Sequence, residues 1–294
     1  RGDGTMQDVS RTAVSPNPAD GFGHGADAAD VDCDGDVDLI LENIPSQTRV
    51  RSETFLMLND GAGNLLKSSG LLPAEFVNGD KTPLNLASCD FDRDGDNDLI
   101  MGRWGSIYFN PDEDRDWLLI NDGFGSFRQV DARLPAGFFG NFNVPNEVHC
   151  GDLDLDGWPD IVISSSTDGA NYSTSDDHLA VWLNRGDLVF ESVDWVTSRP
   201  EAYDPVSLFA DINGDGWIDI FSNPVYTTGS LLINNGGTGF VRVDLPADDP
   251  SSFADDMSGF VDLDGDGRLD FIRPGGEWSN APFSNRPVRV WIQR

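Results

Sequence analysis

Only two lysines, Lys67 and Lys81, occur among the 294 residues, and Lys plus Arg number 19 against 51 Asp plus Glu. A net charge of −32 with so few cations leaves no clustered basic surface for phosphate, which excludes nucleic acid as a partner. Glutamate is scarce as well, with 8 Glu beside 43 Asp. Solubility alone would draw on both carboxylates, so the shorter one serves a purpose of its own. Salt adaptation is the competing explanation, and only the shortage of lysine fits it. Three cysteines (Cys33, Cys89 and Cys150) do not make a disulfide framework for a chain of this size. One pair plus a free thiol and three buried thiols both remain open. No Cys or His spacing resembles a zinc site. No apolar run approaches a membrane span, and nothing at the N-terminus reads as a signal peptide, so the chain reads as a mature or trimmed product.

What is present is a folded composition, 38% hydrophobic and 10% aromatic, with 32 Gly and 17 Pro that point to many turns and short strands. Five segments align without gaps: residues 30–38 (DVDCDGDVD), 90–98 (DFDRDGDND), 152–160 (DLDLDGWPD), 211–219 (DINGDGWID) and 262–270 (DLDGDGRLD). Their starts lie 60, 62, 59 and 51 residues apart, and each runs straight into apolar β-formers. Such self-similarity marks a repeat architecture.

A second element follows four of these loops. It reads TFLMLNDGAGN from Thr54, DWLLINDGFGSF from Asp116, LAVWLNRGDLVF from Leu179 and SLLINNGGTGF from Ser230. An apolar strand ending in Asn, then Asp-Gly or a relative, then a further strand is a β-hairpin signature. Each repeat thus supplies four strands, one before the Asp loop, one after it and two flanking the hairpin. Residues 288–294 read as a third strand with no hairpin after it, and residues 1–10 read as the missing hairpin and fourth strand. The expected fold is all-β: a five-bladed β-propeller of four-stranded antiparallel blades. Its ring is closed by pairing the N-terminal strand with the C-terminal blade, in one domain over residues 1–294.

Asp at loop positions 1, 3 and 5 with Gly at 6 places carboxylates around a sharp turn, the way proteins wrap Ca²⁺. An EF-hand would need Glu at position 12, where this chain has Leu41, Met101, Ile163, Ser222 and Arg273. Instead Asp stands at position 9 in all five copies, and a strand follows. The expected side-chain ligands are Asp30, Asp32, Asp34 and Asp38; Asp90, Asp92, Asp94 and Asp98; Asp152, Asp154, Asp156 and Asp160; Asp211, Asn213, Asp215 and Asp219; and Asp262, Asp264, Asp266 and Asp270. Position-7 carbonyls of Asp36, Asp96, Trp158, Trp217 and Arg268 complete each set. About five Ca²⁺ are expected, with the fourth loop weakest because Asn213 removes a charge. The loops hold 21 Asp, and without them the net charge would be −11.

On these loops, the chain resembles the FG-GAP/VCBS repeat family of bacterial surface proteins, which is related to the integrin α-subunit propeller. HGADAADVDCDGDVDLIL from His24, with GDGTMQDVS from Gly2, is similar to repeats in acidic proteins of the ASPIC/UnbV type. The resemblance covers essentially the whole chain and implies a calcium-binding propeller that is secreted, periplasmic or on the cell surface. Many propellers of that family have seven or more blades, so five is a departure.

Connection parity puts the Asp loops and the hairpins on one face and the long irregular segments 102–115, 164–177 and 273–287 on the other. That opposite face is the expected ligand surface, with Trp104, Tyr108, Tyr172 and Trp278 as candidate contacts to a glycan or an extracellular protein. Packing between blades is the alternative for these rings. Cys33 occupies a non-ligand position and is expected to point into packing, and Ala26, Ala28 and Ala29 suit a crowded innermost strand. The Arg1-Gly2-Asp3 tripeptide falls in a hairpin turn. Glu113, Asp114 and Asp116 offer a carboxylate pair for acid–base chemistry, but an acidic chain supplies many such pairs. No catalytic residue is assigned, and the expected role is a non-catalytic interaction module. A carbohydrate-active lyase or hydrolase and a structural part of a surface assembly are the rivals.

Overall fold

The computed structural model describes residues 13–15, 21–22, 25–45, 53–68, 70–81, 83–103, 116–130, 134–135, 144–166, 178–196, 206–222, 230–244, 259–273 and 289–292. The chain divides into two compact units, Arg1–Trp104 with Asp112–Ala132, and Gly105–Pro111 with Arg133–Arg294. Apart from two two-residue strands in the first, both are built from antiparallel sheets whose strands are neighbours in sequence, as short hairpins and tight Asp loops require. The fold is all-β with a propeller-like repeat plan of five sheets. A short helical turn, Ala74–Val77, interrupts the strands.

In the first unit, Ala26–Ala29, Asp38–Pro45, Glu53–Asn59 and Leu65–Ser68 form one antiparallel run. Two two-residue strands extend that sheet: Val14–Ser15, parallel to Leu65–Ser68, and Gly21–Phe22 against Asp38–Pro45. Pro83–Cys89, Asp98–Arg103, Trp117–Ile120 and Arg128–Val130 form the second sheet. Ile40, Leu56, Leu86, Leu99, Met101, Leu119 and Phe127 fuse the two sheets into one apolar core. The turn Ala74–Val77 adds Phe76, which meets Trp117 edge to face at 5.4 Å.

In the second unit, Val144–Gly151, Asp160–Ser166, His178–Asn184 and Phe190–Val193 form the third sheet, and Val206–Ala210, Asp219–Ser222, Ser230–Asn234 and Phe240–Asp244 the fourth. Leu153, Val162, Val181, Leu183, Ile220 and Leu232 pack between them. The fifth sheet has three described strands, Gly259–Val261, Asp270–Arg273 and Arg289–Trp291, so the C-terminal segment does pair as a third strand. The proposed closing strand at residues 1–10 lies outside the described residues.

Two sequence expectations about single positions differ from the structure. Cys33 is exposed rather than packed, because position 4 of the loop turns left-handed (φ +59°) and directs its side chain outward. Ala26 and Ala28 are exposed and only Ala29 is buried, so the first strand meets a neighbour on one side only. Cys33 is a free thiol.

Candidate metal centre

Each Asp loop folds around its own carboxylates. The first residue of the loop accepts backbone N–H bonds on both oxygens: Asp30 from Asp34 and Gly35 at 3.2 and 3.0 Å, and Asp90 from Asp94 and Gly95 at 3.0 and 3.1 Å. Asp152, Asp211 and Asp262 repeat the pattern. The position-5 carboxylate then takes the N–H of position 7 in every copy. Position 6 has φ between +88° and +102° in all five loops, a conformation that selects Gly.

Position 9 is a staple. One oxygen of Asp38 accepts the Val31 N–H at 3.1 Å and the other accepts the Asn59 N–H at 2.7 Å. Asp98 does the same with Phe91 and Asn121, Asp160 with Leu153 and Asn184, and Asp219 with Ile212 and Asn234. A single buried carboxylate therefore ties the start of its loop to the end of the third strand. Asp38, Asp98, Asp160, Asp219 and Asp270 are all fully buried. Burial pushes the carboxyls of Asp98 and Asp160 up to about 7, against the lowering effect of the two N–H donors. Asp38 and Asp219 are raised for the same reason.

Two of the Asn residues that close third strands, Asn121 and Asn234, join successive repeats. Asn121 Nδ2 donates to the Asn97 carbonyl at 3.1 Å and, in the preceding loop, to the Val31 carbonyl at 2.8 Å. Asn234 Nδ2 donates likewise to Ile218 and Leu153 at 3.2 and 2.9 Å. The hairpin presses on the preceding loop too: a Cβ on Gly237 would lie 2.7 Å from the Trp217 ring and 2.9 Å from Asp154 Cα. The recurring Asn at the end of the third strands was the available signal for this role, and it reads in the sequence only as part of a turn.

Four carboxylate triplets have oxygens within 4.8 Å of one another: Asp30, Asp32, Asp38; Asp90, Asp92, Asp94; Asp152, Asp154, Asp160; and Asp262, Asp264, Asp270. The fourth loop, with Asn213 at position 3, forms no such triplet among the described residues. Carboxylates this close repel by several kcal/mol per pair, roughly 3–4 at an effective dielectric of about 20. Burial and the neighbouring carboxylates raise the Asp32 carboxyl, and Asp92 and Asp152 are raised by burial first. Oδ1 of Asp32 and Oδ1 of Asp92 are buried with no hydrogen-bond partner. An all-oxygen donor set with orphaned buried acceptors fits a hard cation.

Not every predicted ligand joins a triplet. Asp34, Asp98, Asp156 and Asp266 lie outside them, as do Asp211, Asn213, Asp215 and Asp219, and the Asp266 carboxylate is taken by the Arg268 guanidinium. The position-7 side chains cover the hairpin: Asp36 lies against Gly61, Asp96 against Gly123, Trp158 against Gly186 and Trp217 against Gly237. Cys33 Sγ donates to Asp96 Oδ1 at 2.9 Å, which raises the thiol to about 11 and makes it a poor nucleophile. Trp104, Tyr108, Tyr172 and Trp278 lie outside the described residues, as do Glu113 and Asp114. His149 stacks on Phe209 at 5.7 Å, a packing role.

Loops that gather oxygens, joined to meander sheets by a buried Asp, define a repeat protein with cation-competent turns. The family model of the FG-GAP-like repeat matches residues 90–163 and 211–272, which supports an FG-GAP repeat family. No curated protein matches it in sequence. Among solved structures it is similar to a chain of the crystal structure of BBS1N in complex with ARL6DN, soaked with lead. The two are 11% identical with a TM-score of 0.40, over 92% of this chain and 78% of that one.

Proposed function

We propose that this chain is a calcium-stabilised β-propeller that acts outside the cytoplasm as a non-catalytic interaction module. In this reading the five sheets are blades of one ring-closed domain over residues 1–294. The observation that carries it is the orphaned buried oxygen of Asp32 and of Asp92 inside a ring of carboxylates, which a divalent cation satisfies. Ca²⁺ is favoured over Mg²⁺ because it accepts six to eight oxygens in irregular geometry. An extracellular compartment is favoured because sites of this kind fill reliably where calcium is millimolar. The ligand, a glycan or an extracellular protein, is assigned to the face opposite the Asp loops.

Calorimetric titration with Ca²⁺ tests the cation, and the expected result is saturable binding with a fourth-loop site of lowest affinity. Absence of binding, or five equivalent sites, contradicts the respective part. A glycan array in millimolar calcium, repeated after chelation, tests the ligand. Calcium-dependent binding lost in Trp104→Ala and Trp278→Ala supports a sugar surface, and a folded protein that binds nothing there directs the search to protein partners.

A further inference from the structure

The cation-competent loops are not equal, and the difference lies in what the next hairpin delivers to each. After the hairpin Asn, the first two repeats carry Asp60 and Asp122, whose carboxylates turn into their own hairpins and accept N–H bonds from Ala62 and Asn64, and from Phe124 and Ser126. The third repeat carries Arg185 at that place. Its Nη1 lies 2.9 Å from Asp154 Oδ2 and 3.8 Å from Asp156 Oδ2, and its Nε donates to Glu191 Oε2 at 2.9 Å. Asp154 belongs to the triplet with Asp152 and Asp160, so a guanidinium already neutralises one of three carboxylates that would hold a metal. Asp154 is 14% exposed in its side chain and Glu191 58%, so the guanidinium spans an inner and an outer carboxylate.

We propose that Arg185 is a resident competitor for the third loop: it holds Asp154 until a divalent cation displaces it toward Glu191. The third loop is thereby a weaker cation site than the first and second, whose Asp32 and Asp92 each keep an orphaned oxygen instead. The inference rests on the proposed cation binding and adds a switching side chain to it.

Trp158 at position 7 of the third loop supplies a local reporter, since its indole can sensitise terbium emission. The full chain, stripped of divalent ions, is titrated with Tb³⁺, and Trp158→Phe assigns the component that belongs to the third loop. Arg185→Gln is expected to move the midpoint of that component roughly three- to fivefold lower in Tb³⁺, the range of a part-exposed ion pair. Arg185→Lys, which keeps the charge, stays near the parent value. Glu191→Gln, which removes the outer seat, moves the midpoint the other way. Melting in chelator shows whether each variant folds; should Arg185→Gln fail to fold, Glu191→Gln decides. An unchanged midpoint in a folded Arg185→Gln overturns the competitor role while leaving cation binding standing. Absence of sensitised emission in every variant overturns the cation reading and this inference with it.

Discussion

The two units use the same loop under different electrostatic conditions. In the first, loops 30–38 and 90–98 carry five Asp each, and each leaves a buried position-3 oxygen without a partner. In the second, the three loops soften the same arrangement internally. Arg185 reaches Asp154, Asn213 replaces a carboxylate, and Arg268 holds Asp266. Asn213 Oδ1 and Asp264 Oδ1 also find backbone N–H donors. One backbone plan therefore accommodates an internal substitute in the second unit, and under the proposed function the first unit draws on an external cation instead.

Chelation is the largest way to sharpen that comparison. A cation at a thousandfold excess over its Kd contributes about 4 kcal/mol per site, so removing it should lower Tm markedly. Hydrogen exchange after chelation should rise most at residues 30–38 and 90–98 and least at 211–219 and 262–270. Equal loss of protection in both units would erase the distinction. Next comes the staple: Asp98→Ala and Asp160→Ala each leave two buried N–H donors unmet, at about 1–3 kcal/mol per donor. Their effect, read by denaturant melts, should persist in chelator, because the bonds are to backbone.

A pH series on the metal-free protein gives a gentler test. Asp98 and Asp160 have folded values raised to about 7 from 3.8, so the folded state binds their protons more tightly than the unfolded one. This contribution is fully present below about pH 4 and is lost as pH rises through about 7. Metal-free protein should thus lose stability over that window, and calcium should flatten the slope. Gly237→Ala should cost about 1–2 kcal/mol or more, from positive φ plus the approach to Asp154 Cα. Gly236→Ala, at φ +65° with nothing within 4 Å, isolates the strain alone. Smallest is Asn213→Asp, expected to tighten the fourth loop by a few fold in calorimetry.

Much of the fold was legible because its punctuation is local. The DxDxDG turn followed by β-formers, and the LNDG hairpin, place strand ends within a few residues, and the strand runs found here follow those marks. The helical turn Ala74–Val77 and the added strands Val14–Ser15 and Gly21–Phe22 were not legible, since too few residues carry any period. At the site, the clustering of positions 1 and 3 follows from turn geometry. The double duty of position 9 does not, because its partners lie as far as 24 residues away across a strand pairing. Arg185 stood in plain view as the LNRG variant of LNDG, but only the folded hairpin shows that it reaches a loop 31 residues earlier. Cys33 was misplaced because the sequence does not announce a left-handed non-glycine residue.

The hairpin Asn has a bearing on how such a chain changes length. A repeat whose Asn234 grips the loop before it, and whose own Ile212 carbonyl accepts the Leu269 N–H of the repeat behind, carries both halves of its joint. Copying one such segment copies a complete connector along with it. Repeats can then be gained or lost in whole units without a new surface having to arise, and each newcomer brings its own cation-competent turn into register with the rest.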